Sequence, residues 1–166
     1  GSTTVMNVYP GENCYRPFRA LSSTTSALTA RCRGAFTARS LADAVHLFAG
    51  DATKLYHLVG SSVTWDDVSN GTYGADEFWS FAQFGDRVIA TNGIDNVQSF
   101  VMASSTDFAD LTGSPPKARY VAVIGDFVVL GCLSTLPNRV RWSAFDDPTS
   151  WTVSASTQAD FQDIVG

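Results

Sequence analysis

An aromatic residue followed by an aspartate two positions on, and then by an aliphatic side chain, recurs in this chain. It occurs as Trp65-Asp66-Asp67-Val68 and again as Phe108-Ala109-Asp110-Leu111. Trp65, Phe108 and Trp151 stand a constant 43 residues apart, as do Gly50 and Gly93. A fixed period of this length constrains the fold more than any other feature of the sequence. A repeated unit cannot bury its apolar face alone, so neighbouring units must stack.

Each unit reads as four short β-strands. In the first, Ala35-Phe36-Thr37-Ala38, Ala44 to Ala49 and Lys54 to Val59 are β-rich runs bounded by Gly50-Asp51 and Gly60, and the stretch from Val63 to Val68 closes the unit. The second offers Phe78 to Phe84, Arg87 to Thr91, Val97 to Met102 and Phe108 to Leu111. The third offers Arg119 to Ile124, Phe127 to Leu130, Arg139 to Ala144 and Trp151 to Ser154. Runs rich in Val, Phe, Tyr and Thr between Gly and Asp are strand and hairpin signals. Gly85-Asp86 and Gly125-Asp126 are only 40 residues apart, which predicts about three additional residues in a later loop of the third unit, at Leu133 to Asn138. Four strands per roughly 40 to 50 residues is the period of a β-propeller blade. The expected fold is therefore all-β: about three four-stranded antiparallel blades at 30–74, 75–116 and 117–166, preceded by an extended N-terminal arm at 1–29. An antiparallel sandwich or barrel with evenly spaced turns is the alternative. Closed propellers use about four to eight blades. Three blades therefore imply a part of a longer protein, the favoured expectation, or copies that associate to complete a ring. Asp160 to Gly166 reads as the start of a further strand.

Composition narrows the function. A net charge of −5 argues against tight nucleic-acid binding through phosphate neutralisation. No apolar run reaches the roughly 18 to 20 residues of a membrane span, so no membrane insertion is expected. Cys14, Cys32 and Cys132 are widely spaced and form no metal or disulfide pattern; Cys132 reads as a small core residue. His46 and His57 lie in strand-like runs without an evident partner, both readable as outward-facing. There is no GxSxG elbow, GxGxxG or P-loop, so no catalytic, cofactor-binding or metal-binding residue is assigned. The pairs Asp66-Asp67 and Asp146-Asp147, and Asp107 with Asp110, read as turn formers; a glycoside hydrolase would need two such acids across a cleft. Trp65, Phe108 and Trp151 read as core aromatics of the repeat. Exposed tryptophans such as Trp79 would instead suit carbohydrate stacking.

The arm carries turn signals at Pro10-Gly11 and Arg16-Pro17, with Val5, Val8, Tyr9, Tyr15, Arg16 and Phe18 as docking or anchoring side chains. Asn7-Val8-Tyr9-Pro10-Gly11 and Tyr15-Arg16-Pro17-Phe18 resemble the N-terminal arm of virion proteins of tailed phages. Phe81-Ala82-Gln83-Phe84-Gly85-Asp86, Arg119-Tyr120-Val121-Ala122-Val123 and Asn138-Arg139-Val140-Arg141-Trp142-Ser143 are similar to segments of the same proteins. The resemblance is to the tail tubular or nozzle-type component of short-tailed phages and prophages, whose members are longer. It implies an N-terminal piece or reduced relative of a non-enzymatic virion part, assembled in the host cytoplasm. Such a part forms a homo-oligomeric ring with other virion proteins around the channel through which DNA leaves the capsid. A carbohydrate- or protein-binding propeller module, and a glycoside hydrolase on the same scaffold, are the alternatives.

Overall fold

The computed structural model describes residues 8–18, 22–74 and 78–164. Among these the chain is all-β, with fourteen strands and no helix. Three sheets each contain four antiparallel strands in strict chain order. Blade 1 comprises β3 (Gly34–Arg39), β4 (Val45–Gly50), β5 (Leu55–Val59) and β6 (Asp66–Asp67). Blade 2 comprises β7 (Ser80–Phe84), β8 (Arg87–Thr91), β9 (Gln98–Val101) and β10 (Ala109–Asp110). Blade 3 comprises β11 (Ala118–Ile124), β12 (Phe127–Leu133), β13 (Arg139–Trp142) and β14 (Asp160–Asp163). None of these sheets closes on itself; each is an open meander, as in a propeller blade.

Local chemistry explains the meanders. Gly85 and Gly125 have φ of +56° and +57° at the first position of two-residue turns, and the aspartates that follow them are not left-handed. That is the type II′ pattern, whose twist matches the flanking strands. At the opposite end, Asp51 Oδ1 accepts the N–H groups of Thr53 and Lys54, both at 2.8 Å. Asn92 Oδ1 accepts those of Ile94 and Asp95 in the same way, at 3.0 and 2.9 Å. Each cap closes the loop between the second and third strands by offering the backbone a side-chain acceptor. The shared pattern sets the register between blades, and it aligns Gly50 with Thr91. The 43-residue spacing to Gly93 is therefore not a structural equivalence.

Blades pack face to face along the chain. Ala38, Phe48, Leu55, Val68, Trp79, Val88, Phe100 and Phe108 fill the seam between blades 1 and 2. Ala82, Ile89, Val97, Leu111, Val121, Val128, Leu130 and Trp151 fill the seam between blades 2 and 3. The first strands lie side by side, with β7 between β3 and β11. There Arg39 N donates to Gln83 Oε1 at 3.1 Å, and Gln83 Nε2 donates to Arg39 O at 2.6 Å.

Two expectations from the sequence change. Trp151–Ser154 does not close blade 3. The closing strand is β14, which pairs with β13 through Arg139↔Asp163 to Trp142↔Asp160, so the strand read from Asp160 is present over Asp160–Asp163 and is the last of this blade. Arg139 fastens that edge by donating from Nε and an Nη to the two Asp163 oxygens at 2.6 and 2.8 Å. The N-terminal segment is also less extended than expected. β1 (Val8–Pro10) and β2 (Tyr15–Pro17) form a two-stranded antiparallel hairpin.

Candidate functional site

The seam between blades 1 and 2 is built around Trp79. Its backbone N–H bonds Arg33 O at 2.9 Å, and its indole N–H bonds Asp51 O at 2.9 Å. The ring lies flat against Gly50, where a Cβ would come within 2.3 Å of the indole. Only a residue without a side chain lets the strand approach so closely. Asp51 is fully buried and is the polar node beside it. Besides the two loop amides, its Oδ2 accepts the hydroxyls of Tyr56 at 2.7 Å and Thr29 at 2.9 Å. Burial opposes ionisation here, but these four donors hold the carboxyl below the usual aspartate range.

The two histidines meet in the same seam. His46 Nδ1 lies 2.8 Å from His57 Nε2, and the two rings meet edge to edge, 8° from parallel with 5.0 Å between centroids. Phe48 stacks on His57 at 4.7 Å, and Phe100 of blade 2 lies 5.0 Å from it. Burial pushes His57 down to about 4, His46 adds to that shift, and Asp66 opposes it. His46 is lowered by burial, against a pull upward from Asp86. Neither ring points outward as expected. They are opposite in strand parity to Leu47 and Leu58, and that parity turns them toward blade 2.

The outer faces of the stack differ. On blade 1, the side away from blade 2 is partly covered by residues 22–31. Ser26 N donates to Val63 O at 2.7 Å, and Ser26 Oγ accepts from Trp65 N at 2.9 Å. Thr25 accepts the Trp65 indole N–H at 3.2 Å, while Thr29 and Tyr56 share a 2.5 Å hydroxyl contact. Beneath this cover Tyr56 and Leu58 are buried. The β3–β4 half of that face is not covered: Ala35, Thr37 and Val45 are exposed and Leu47 is half-buried.

Among the described residues blade 3 has only an edge contact from the loop between β13 and β14, where Phe145 meets Phe127 edge to face at 5.8 Å. Its face away from blade 2 carries Tyr120 and Ile124 at 51% and 63% exposure. Ile124, Phe127, Val129, Val140 and Trp142 line a shallow apolar depression of about 350 Å³ on it. Pair registers relate this face to the preceding blade. Ala82↔Ile89 and Phe84↔Arg87 in blade 2 correspond to Ala122↔Val129 and Ile124↔Phe127 in blade 3. Ala82, Ile89 and Val97 are buried in the second seam, with Phe84 packed beside them. Their counterparts Ala122, Ile124, Val129 and Val140 line a face with no blade on it.

The residues singled out in the sequence are dispersed. Phe108 is 2% exposed and packs on Phe48 and Phe100, with centroids 5.8 and 5.3 Å away. Trp151 is also 2% exposed and sits in the second seam, reached from the loop between β13 and β14. Trp65 is half-buried on the outer side of blade 1, under Thr25. Tyr9, Tyr15, Arg16 and Phe18 are exposed on the hairpin, where the Tyr9 and Phe18 rings meet edge to face at 5.6 Å. Val5 lies outside the described residues. Asp67 is engaged by Lys54 and Ser69, and Asp110 by Asn96 and Gln98. Cys132 is half-buried with a left-handed backbone, φ +53°, rather than a core residue. Among the described residues no group of three or more His, Cys, Asp or Glu side chains is placed to hold a metal ion.

Asp51, the imidazole pair and the open face were all missed in the sequence. The open face had left a signal, because Ala122, Ile124 and Val129 follow Ala82, Phe84 and Ile89 by the same 40 residues as the two Gly-Asp turns. No family model and no curated protein matches the chain.

Proposed function

We propose that this chain is a non-enzymatic structural part of a phage particle, of the tail nozzle or head–tail connection kind. It acts by packing blade against blade around a DNA-exit channel. The observation that carries this reading is the uncovered far face of blade 3, whose equivalents in blade 2 are buried. An apolar sheet face of this kind marks a protein contact surface. The engaged carboxylates and the histidines of the first seam support an assembly role, since each side chain is occupied in holding the scaffold. A net charge of −5 suits a wall that must let DNA slide past, because like charge repels phosphate.

The sugar-binding alternative loses its main residue, since Trp79 is 6% exposed in the first seam. The hydrolase alternative loses Asp67 as a free acid, because its carboxylate is bonded to Lys54 and Ser69. The test is peptide mass spectrometry of purified particles from the phage or induced prophage that encodes the chain. A fixed stoichiometry in intact particles is expected. Complete, infectious particles lacking a chain that is expressed in the same cells would refute the reading.

A further inference from the structure

We propose that two copies of this chain close a six-bladed ring, with the far face of blade 3 in each copy packed on the outer face of blade 1 in the other. The inference rests on the assembly reading above and names the partner as a second copy. Continuity of the stack points to it first. The far face of blade 3 is the register equivalent of the face by which blade 2 packs on blade 3, so the surface that fits it is the leading face of another blade. Such a face is also available. Among the described residues the leading face of blade 1 has no blade on it, and its β3–β4 half is open through Ala35, Thr37 and Val45. Residues 22–31 lie over the β5–β6 half and hold its edge through Ser26 and Trp65. The contact therefore engages the halves of both blades nearest the first strands.

Blade number and symmetry agree with this pairing. Two sets of three blades make six, within the range of about four to eight that closed propellers use. A head-to-tail contact that closes after two copies removes both open faces at once. Pairing of two blade 3 faces with each other would leave both blade 1 faces open.

Sedimentation velocity of the full chain tests the proposal. A two-chain species is expected at micromolar concentration. Val129→Lys, on the far face of blade 3, is expected to yield monomers, and so is Val45→Lys on blade 1, with wild-type circular dichroism in both cases. Val140→Lys repeats the first arm from β13 should Val129→Lys fail to fold. A wild-type chain that stays monomeric up to high micromolar concentration would overturn the two-copy ring. It would leave the particle-component reading to the mass spectrometry above. Dissociation by Val129→Lys but not by Val45→Lys would show same-face pairing and also overturn the ring. Species that keep growing with concentration would show a contact that does not close, and would overturn it as well.

Discussion

His46 Nδ1 and His57 Nε2 share one hydrogen bond of 2.8 Å across β4 and β5, inside the seam that joins blades 1 and 2. One imidazole must be neutral to accept it, because two imidazolium rings would offer only donors. Phe48 and Phe100 flank the pair, and Asp66 and Asp86 are the acidic groups that act on it.

The pair therefore makes stability depend on pH. An unfolded histidine protonates near 6.5, whereas folded His57 resists protonation down to about 4. Above pH 6.5 both states are neutral and the effect vanishes. Between the two values the unfolded chain binds a proton that the native state refuses, so stability falls as pH falls. The loss is on the order of 1–2 kcal/mol, below the full linkage value because the His57 ring keeps partial solvent contact. Thermal melts at pH near 7 and near 4.5 check this, and His57→Phe is expected to flatten the difference.

Phe108 and Trp65 occupy the same point in successive blades but not the same environment. Phe108→Ala is expected to cost roughly 3–5 kcal/mol, as for other buried aromatics. Trp65→Ala, on a half-buried outer face, is expected to cost less than about 2 kcal/mol. Urea denaturation of both variants checks the contrast, and equal losses would contradict the placement of Trp65.

Gly50→Ala places a methyl group where the Trp79 indole lies, 2.3 Å from the ring. Overpacking of this kind costs about 1–3 kcal/mol. A melting temperature within error of wild type would mean that Trp79 is free to move aside.

Asp51→Asn keeps an acceptor for the Thr53 and Lys54 amides, but its amide nitrogen cannot accept the Tyr56 and Thr29 hydroxyls. A cost of about 1–3 kcal/mol is expected, with loosening of residues 22–31. Hydrogen exchange should report faster exchange at Ser26 and Trp65, and unchanged protection there would refute the coupling. Because the folded-state pKa of Asp51 is depressed, its contribution is present above the ordinary aspartate pKa and is lost as pH falls through the folded value.

Much of the fold was legible because local rules write it. The Gly-Asp turns demanded hairpins, alternation marked the strands, and the period implied stacked units. The errors fell where spacing stood in for register. Gly93 shares a spacing with Gly50, yet loop capping aligns Gly50 with Thr91. Trp151 shares a spacing with Phe108, yet it enters its seam from an insertion ahead of β14. A loop can absorb residues without disturbing the sheet on either side, so counting along the chain drifts from the structure.

By itself, the sequence determined the strand runs, the tight turns and the repeat, because these depend on side chains and backbone preferences a few residues apart. Tertiary structure alone decided which face of each blade is covered. It brought His46 to His57 and Trp79 to Gly50, and it gathered four donors on Asp51. It also left Ala122, Val129 and Val140 on an open face while their counterparts Ala82, Ile89 and Val97 in blade 2 are buried. Burial depends on which sheet lies opposite, and an alternating strand pattern reads the same whether its apolar face meets a neighbour or water.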